Sequence, residues 1–358
     1  MSEEQTEHRP GTEPPRRSVS ILVRSHALKM LRGLGHQLRS IVTAFRVGGG
    51  ARLDLIGRAS LFIPALAGLA IIVLILSFLW YESIPIFTDP NGGPGILVQP
   101  VWDPPRNLYG IAIFIVGSLI CTALAILLAV PLGIGAATFL SEFCPSKLRN
   151  FFRSIVELMA GIPSIVYGLW AYVVLVPWIR NSLAPFLQSF PLTSWMPWFQ
   201  GTTNGLSMLA GGLILGIMLL PTVVAISNDA LESVSDTYRE AAYALGANRS
   251  ETARKVVLSA ALPGVGASIV LSLGRAVGET MAVLMVTGNS LSIPYSLLDP
   301  GYVMTSIIAN QLGYAYAFPL WRSALFAVAL VLLLMSVTFT AMAKIAIRWG
   351  MKTRGVVV

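Results

Sequence analysis

Apolar residues gather into six long runs, at about 59–80, 109–140, 155–179, 205–226, 264–286 and 323–343. Each is near or above the ~20 residues a helix needs to cross the hydrocarbon of a bilayer. Between Arg106 and Glu142 there is no Asp, Glu, Lys or Arg at all, which a soluble helix would not tolerate. The pattern therefore predicts an all-α integral membrane protein with six transmembrane helices. Ahead of the first run the period changes. Residues 21–58 carry Leu28, Leu31, Leu34, Leu38, Ile41 and Phe45 at three- and four-residue spacing, opposite Arg24, Lys29, Arg32 and Arg39. That spacing predicts a basic amphipathic helix on the inner membrane surface. Residues 1–20, with Glu3, Glu4, Glu7, Pro10, Pro14 and Pro15, have no apolar period and are expected to form a disordered cytoplasmic tail. The first apolar run is too long for a signal-peptide core, so it is read as an uncleaved span. The organisation expected is a tail (1–20), a basic amphipathic segment (21–58), a membrane domain (59–348) with a long cytoplasmic loop at 228–262, and a second tail (349–358).

Composition agrees: 55% of the 358 residues are hydrophobic and 12% charged, about half the charge of an ordinary soluble domain. The net charge of +8 tracks the sides of the membrane and points to no nucleic acid. Outside the segments read as cytoplasmic, the only Lys and Arg are Arg106, Arg180, Arg275 and Arg322. The positive-inside rule then places both termini in the cytoplasm. Outside, residues 82–107 are rich in Pro and Gly, and Trp195 and Trp198 read as an interfacial belt. Cys121 and Cys144 are too few for a disulfide framework. His8, His26 and His36 lie in the N-terminal tail with no ligand cluster around them, so no metal site is expected. No nucleophile–base pair emerges, and there is no Walker A loop, so neither a catalytic residue nor bound ATP is expected of this chain.

Two places carry chemistry. In the fifth run Arg275 and Glu279 stand four residues apart, as i and i+4 on one helical face, where they can bridge each other. A charge at this depth is costly and is expected to face a cavity or the bundle interior. One reading is a structural salt bridge. The other is an oxyanion pathway, with the Arg275 fork replacing water and Glu279 either holding Arg275 or accepting the proton of a partly protonated anion. Thr280 adds a hydroxyl, and Gly274 and Gly278 would let another helix pack closely. The second place is the loop at 228–262, with four basic and five acidic side chains. Ser233, Ser235 and Asp236 are ready N-caps, 238–245 is rich in Ala, and Gly246 is a helix stop; a second helix is expected from Arg249 to Leu258. A small-residue face of Ala241, Ala242 and Ala244 suits a groove on another protein, although an unpartnered loop fits the same pattern.

Glu240-Ala241-Ala242, three residues, Gly246, nine residues, then Val256-Val257-Leu258 resembles the loop motif of bacterial ABC importer permeases. The stretch from Gly274 to Val283, with Met281-Ala282-Val283 after Gly278-Glu279-Thr280, is similar to the phosphate-specific (Pst) permeases of the PstC type. The resemblance covers roughly 60–345, with its strong motifs in 228–290. One departure is Ser259, where the family pattern has Pro; here the proline is Pro263. The resemblance implies a type I ABC importer permease (MetI-like) fold in the bacterial plasma (inner) membrane. It implies coupling to an ATPase through Arg239, Glu240, Ala241, Ala242 and Gly246, and a substrate pathway at Arg275, Glu279 and Thr280. It further implies a PstA-like permease, a PstB-like ATPase dimer that uses ATP and Mg on separate chains, and a phosphate-binding protein, all around inorganic phosphate as cargo. Sulfate or molybdate as cargo, or an autonomous secondary transporter or channel, are the alternatives.

Overall fold

A computed structural model describes the backbone of residues 49–353, except Asn91, Leu192 and Thr203, and the side chains from 60 to 350. The tail of 1–20, most of the amphipathic segment 21–58 and the end of the tail 349–358 lie outside these residues. Eleven helices follow in order among the described residues: α1 (Gly49–Thr88), α2 (Ala112–Thr138), α3 (Ser146–Ala160), α4 (Ser164–Ser189), α5 (Met208–Glu232), α6 (Asp236–Ala244), α7 (Arg249–Ala260), α8 (Leu262–Gly278), α9 (Met281–Val286), α10 (Met304–Ala315) and α11 (Pro319–Thr353). Helices α1, α2, α5 and α11 are each long and apolar enough to cross a membrane. Two bent pairs, α3–α4 at 93° and α7–α8 at 69°, bring the number to six if each pair is one span. The N-terminal part of α1, to Ile75, belongs to a unit of its own, and the apolar stretch of the helix is Ser60–Thr88.

From Leu76 onward the chain forms a second unit, centred on the packing of α2 against α5. Glycines permit that approach. A Cβ at Gly133 would meet Val223 at 2.6 Å, and one at Gly216 would meet Leu128 at 2.8 Å. In lipid, close backbone contact of this kind replaces the hydrophobic drive that water would supply. Pro131 and Pro221 sit inside these two helices. Helix α8 packs on α2, α5 and α11, and α9 packs on α4 and α5.

The third run departs from expectation. It was read as a span from about residue 155, but α3 ends at Ala160, and α4 starts only at Ser164 after Gly161, Ile162 and Pro163. Proline excludes the residue before it from helical torsions, so the chain turns there. Helix α3 has no buried residue; its Arg149 and Arg153 pair with Asp229 and Glu232 at the end of α5. It is an amphipathic helix on the surface of the chain, and α4 is the longer, more apolar member of the bent pair.

The opposite end is closed by irregular chain. Trp102 and Tyr109 face each other on a two-strand ribbon, β1 (Trp102–Asp103) and β2 (Leu108–Tyr109). Trp102 also stacks edge-on against Phe114 and donates to Gln311 Oε1 at 3.0 Å. The segment after α4 is tied to the segment after α9. Leu297 N and Ser296 Oγ both donate to the Trp198 carbonyl at 2.8 Å, and Asp299 accepts from Thr202 N and Ser296 N. Trp195 and Trp198 themselves are exposed.

Candidate functional site

The fifth span is broken at its charged residues. Helix α8 stops at Gly278, Glu279 adopts extended torsions (φ −69°, ψ 128°), and α9 begins at Met281. Arg275 and Glu279 therefore do not share one helical face, and they form no ion pair among the described contacts. Low helix propensity at Gly274 and Gly278 favours the interruption. The Glu279 carboxylate turns to α9, accepting from Ala282 N at 3.5 Å, and its carbonyl accepts from Thr305 Oγ1 at 2.9 Å. Thr280 Oγ1 bonds back to the Gly278 carbonyl at 3.4 Å.

Arg275 is exposed on α8, and its hydrogen-bond partner is Thr222 Oγ1, at 3.2 Å, next to Pro221 in α5. A guanidinium carries five N–H donors, so among the described residues most of the fork has no acceptor. A Cβ at Gly274 or Gly278 would meet nothing within 4 Å. Among the described residues no helix uses these glycines for close packing, and the space beside them is open. Thr222 was not found by sequence reading, because a Pro-Thr pair inside an apolar run carries no charge signal.

The loop at 228–262 folds as its caps dictate. Ser235 caps α6, its hydroxyl accepting from Thr237 N at 3.4 Å. At the far end Gly246 takes φ +83°, while Gly246 N and Ala247 N reach back to the Tyr243 and Ala242 carbonyls. An L side chain is disfavoured at that φ, which is why glycine ends the helix. Asn248 and Glu251 form a reciprocal capping box that starts α7. The Glu251 carboxyl is held below its ordinary range by the Asn248 backbone N–H and then by Lys255. Ala242 points inward and is buried, so it is not part of an outward small-residue face. Glu240, Ala241, Ala244 and Gly246 are exposed, together with Tyr238, Tyr243 and Leu245, the last at 90%. The proline missing at Ser259 does not prevent a turn: α7 and α8 still meet at 69°, and Pro263 sits in the first turn of α8.

Arg239 is fully engaged inside the chain. Its Nη2 meets Glu142 Oε1 at 2.8 Å, and its Nε reaches the same carboxylate at 3.3 and 3.4 Å. The remaining donors go to the Val234 carbonyl at 2.6 Å, the Leu231 carbonyl at 3.1 Å and Asp236 Oδ1 at 3.1 Å. Glu142 lies in a wide i→i+5 turn, Phe139–Phe143, that extends α2; such turns often mark functional positions. The two side chains are 16% and 6% exposed. Hydrogen bonding to Glu142 raises the Arg239 pKa further above its ordinary value. Any stability this adds is present at all physiological pH and is lost only as pH rises through that raised value. Around the pair lies a polar cleft of about 440 Å³, lined also by Ser141, Arg149, Glu232 and Arg249. Sequence reading passed over Glu142, although it is the first charge after the long uncharged run.

Among the described residues no group of His, Cys, Asp and Glu is placed to hold a metal. Comparison with known proteins adds the family. The family described as binding-protein-dependent transport system inner membrane component matches residues 129–349. A probable phosphate transport system permease protein PstC of Methanocaldococcus jannaschii is 37% identical over 73% of this chain and 82% of its own length. The phosphate transport system permease protein PstC of Mesorhizobium japonicum is 36% identical over 76% of this chain and 85% of its own. That of Haemophilus influenzae is 34% identical over 80% and 90%. With its bent-pair spans, its capped loop helix ending at Gly246 and these matches, the chain belongs to the binding-protein-dependent (ABC importer) permeases, in the PstC family.

Proposed function

We propose that this chain forms one half of a pathway that passes inorganic phosphate into the cytoplasm by alternating access, powered by ATP hydrolysis on separate chains. The observation that carries the reading is Arg275: an exposed guanidinium on a broken span, with one hydroxyl partner and open space beside Gly274 and Gly278. A fork with free donors suits a tetrahedral oxyanion. Glu279 is not paired with Arg275, which supports a role as acceptor for the proton of hydrogen phosphate over a role as its brace. Thr222 supplies a hydroxyl beside Arg275, and Thr280 another at the break in the span. The open side of α8 suits a second permease, PstA-like, and the exposed face of α6, with Glu240, Ala241 and Leu245, suits a groove on a PstB-like ATPase dimer. A phosphate-binding protein would deliver cargo at the capped end, with both termini of this chain in the cytoplasm.

The test is radiolabelled phosphate uptake in cells lacking their own high-affinity system, supplied with this chain and its partner subunits, wild type against Arg275→Gln. Saturable uptake lost in the variant with assembly intact is expected. Uptake that persists in Arg275→Gln removes Arg275 from the pathway, and sulfate or molybdate uptake without phosphate uptake would replace the cargo.

A further inference from the structure

The sole buried side chain of α6 is Ala242, so apolar contact alone gives the helix little hold on the rest of the chain. Its attachment is ionic. All five guanidinium N–H groups of Arg239 have acceptors within this chain: one on Glu142 from Nε, one on Glu142 and one on the Leu231 carbonyl from Nη2, and two on Val234 and Asp236 from Nη1. No donor is left over for another subunit. The acceptors also tell where the load goes. Glu142 ends α2, Leu231 lies in the last turn of α5, and Val234 and Asp236 border α6. Beside them Arg149 of α3 donates to the Ser141 carbonyl at 2.7 Å and approaches Glu232 of α5 at 3.8 Å. Four helix ends meet around one charged cleft.

We propose that Glu142 is a positioning residue of the transport cycle: through Arg239 it staples the docking helix α6 to the ends of α2 and α5, so that a displacement of α6 is carried into the α2–α5 core. Arg239 thus acts inside the permease and not as a contact to the ATPase. The inference rests on the reading of α6 as the docking helix.

The experiment uses the assembled transporter in proteoliposomes and compares wild type, Glu142→Gln, Glu142→Asp and Arg239→Gln. Three quantities are read: amide exchange across residues 231–245, ATPase subunit retained on purification, and phosphate moved per ATP hydrolysed. Glu142→Gln and Arg239→Gln are expected to speed exchange at α6 by about tenfold or more. Both should retain the ATPase, and phosphate moved per ATP should fall about fivefold or more. Glu142→Asp should recover most of the ratio, and it decides the matter if the Gln variants do not assemble. Unchanged exchange at α6, or a wild-type phosphate-to-ATP ratio in Glu142→Gln, overturns the staple. Loss of the ATPase in Arg239→Gln but not in Glu142→Gln overturns it also, because Arg239 would then touch the partner directly. If wild type moves no phosphate, the cargo assignment fails, while exchange and ATPase retention still test the staple.

Discussion

Arg239 and Arg275 are the same side chain put to opposite uses. Arg239, at the aqueous end of the bundle, has every donor satisfied by its own chain and is mostly buried. Arg275, on a membrane helix, is exposed, and among the described residues its hydrogen-bond partner is a single threonine hydroxyl. Arg239 lies outside the apolar runs and Arg275 within one, so the cost of placing a charge in an apolar span alone would predict the reverse arrangement. A charge that a chain neutralises completely holds the chain together. A charge with free donors in an apolar span is, in the function proposed above, what an arriving anion would meet.

The contrast can be broken at either end. The largest expected effect is at Arg275. Arg275→Gln removes charge-assisted bonds of about 1.5–3 kcal/mol in all, so phosphate uptake should fall about 10- to 150-fold in kcat/KM, while Arg275→Lys, with charge but no fork, should fall between. Next come the glycines. Gly216→Leu, which drives a side chain into Leu128, should lower thermal stability in detergent by about 1–3 kcal/mol. Gly274→Leu enters open space and should leave that stability unchanged while blocking uptake; a shared loss of stability would mean the space at Gly274 is not free. Gly246→Val should cost α6 about 1–2 kcal/mol by forcing a branched residue into left-handed torsions, read as faster amide exchange at 236–247. Thr222→Val should raise the phosphate KM only a few-fold, since a hydrogen bond is worth about 0.5–1.5 kcal/mol net. Asn248→Ala should weaken the start of α7 by about 1 kcal/mol, visible as lost amide protection at Arg249–Glu251.

Hydrophobic periodicity made the six apolar segments legible, and cap chemistry made α6 and α7 legible almost to the residue, because Ser235 and Gly246 act within one turn of their own backbone. What stayed hidden depends on distant chain. The surface character of α3 follows from Arg149 and Arg153 meeting α5, and an apolar average over 155–179 conceals it. The separation of Arg275 from Glu279 follows from a break that an ideal i, i+4 count does not admit. Glu142 and Thr222 matter only through residues 97 and 53 positions away. Of the small-residue face read on α6, Ala241 and Ala244 are exposed and Ala242 is buried, a difference set by which side of the helix meets the rest of the chain.

The break in the fifth span has one more consequence. Two side chains on an unbroken helix at this spacing are held about 5–6 Å apart at Cβ whatever the helix does. Here Arg275 rides on α8, which continues from α7 and the loop at 228–262, whereas the backbone of Glu279 is pinned through Thr305 to α10, and α9 is sewn through Thr287 to Gly301 in the segment that follows it. The two charges belong to different plates of a variable capacitor. In the proposed cycle, turning α8 against α9 would change the field between Arg275 and Glu279 while each stays fixed to its own anchor.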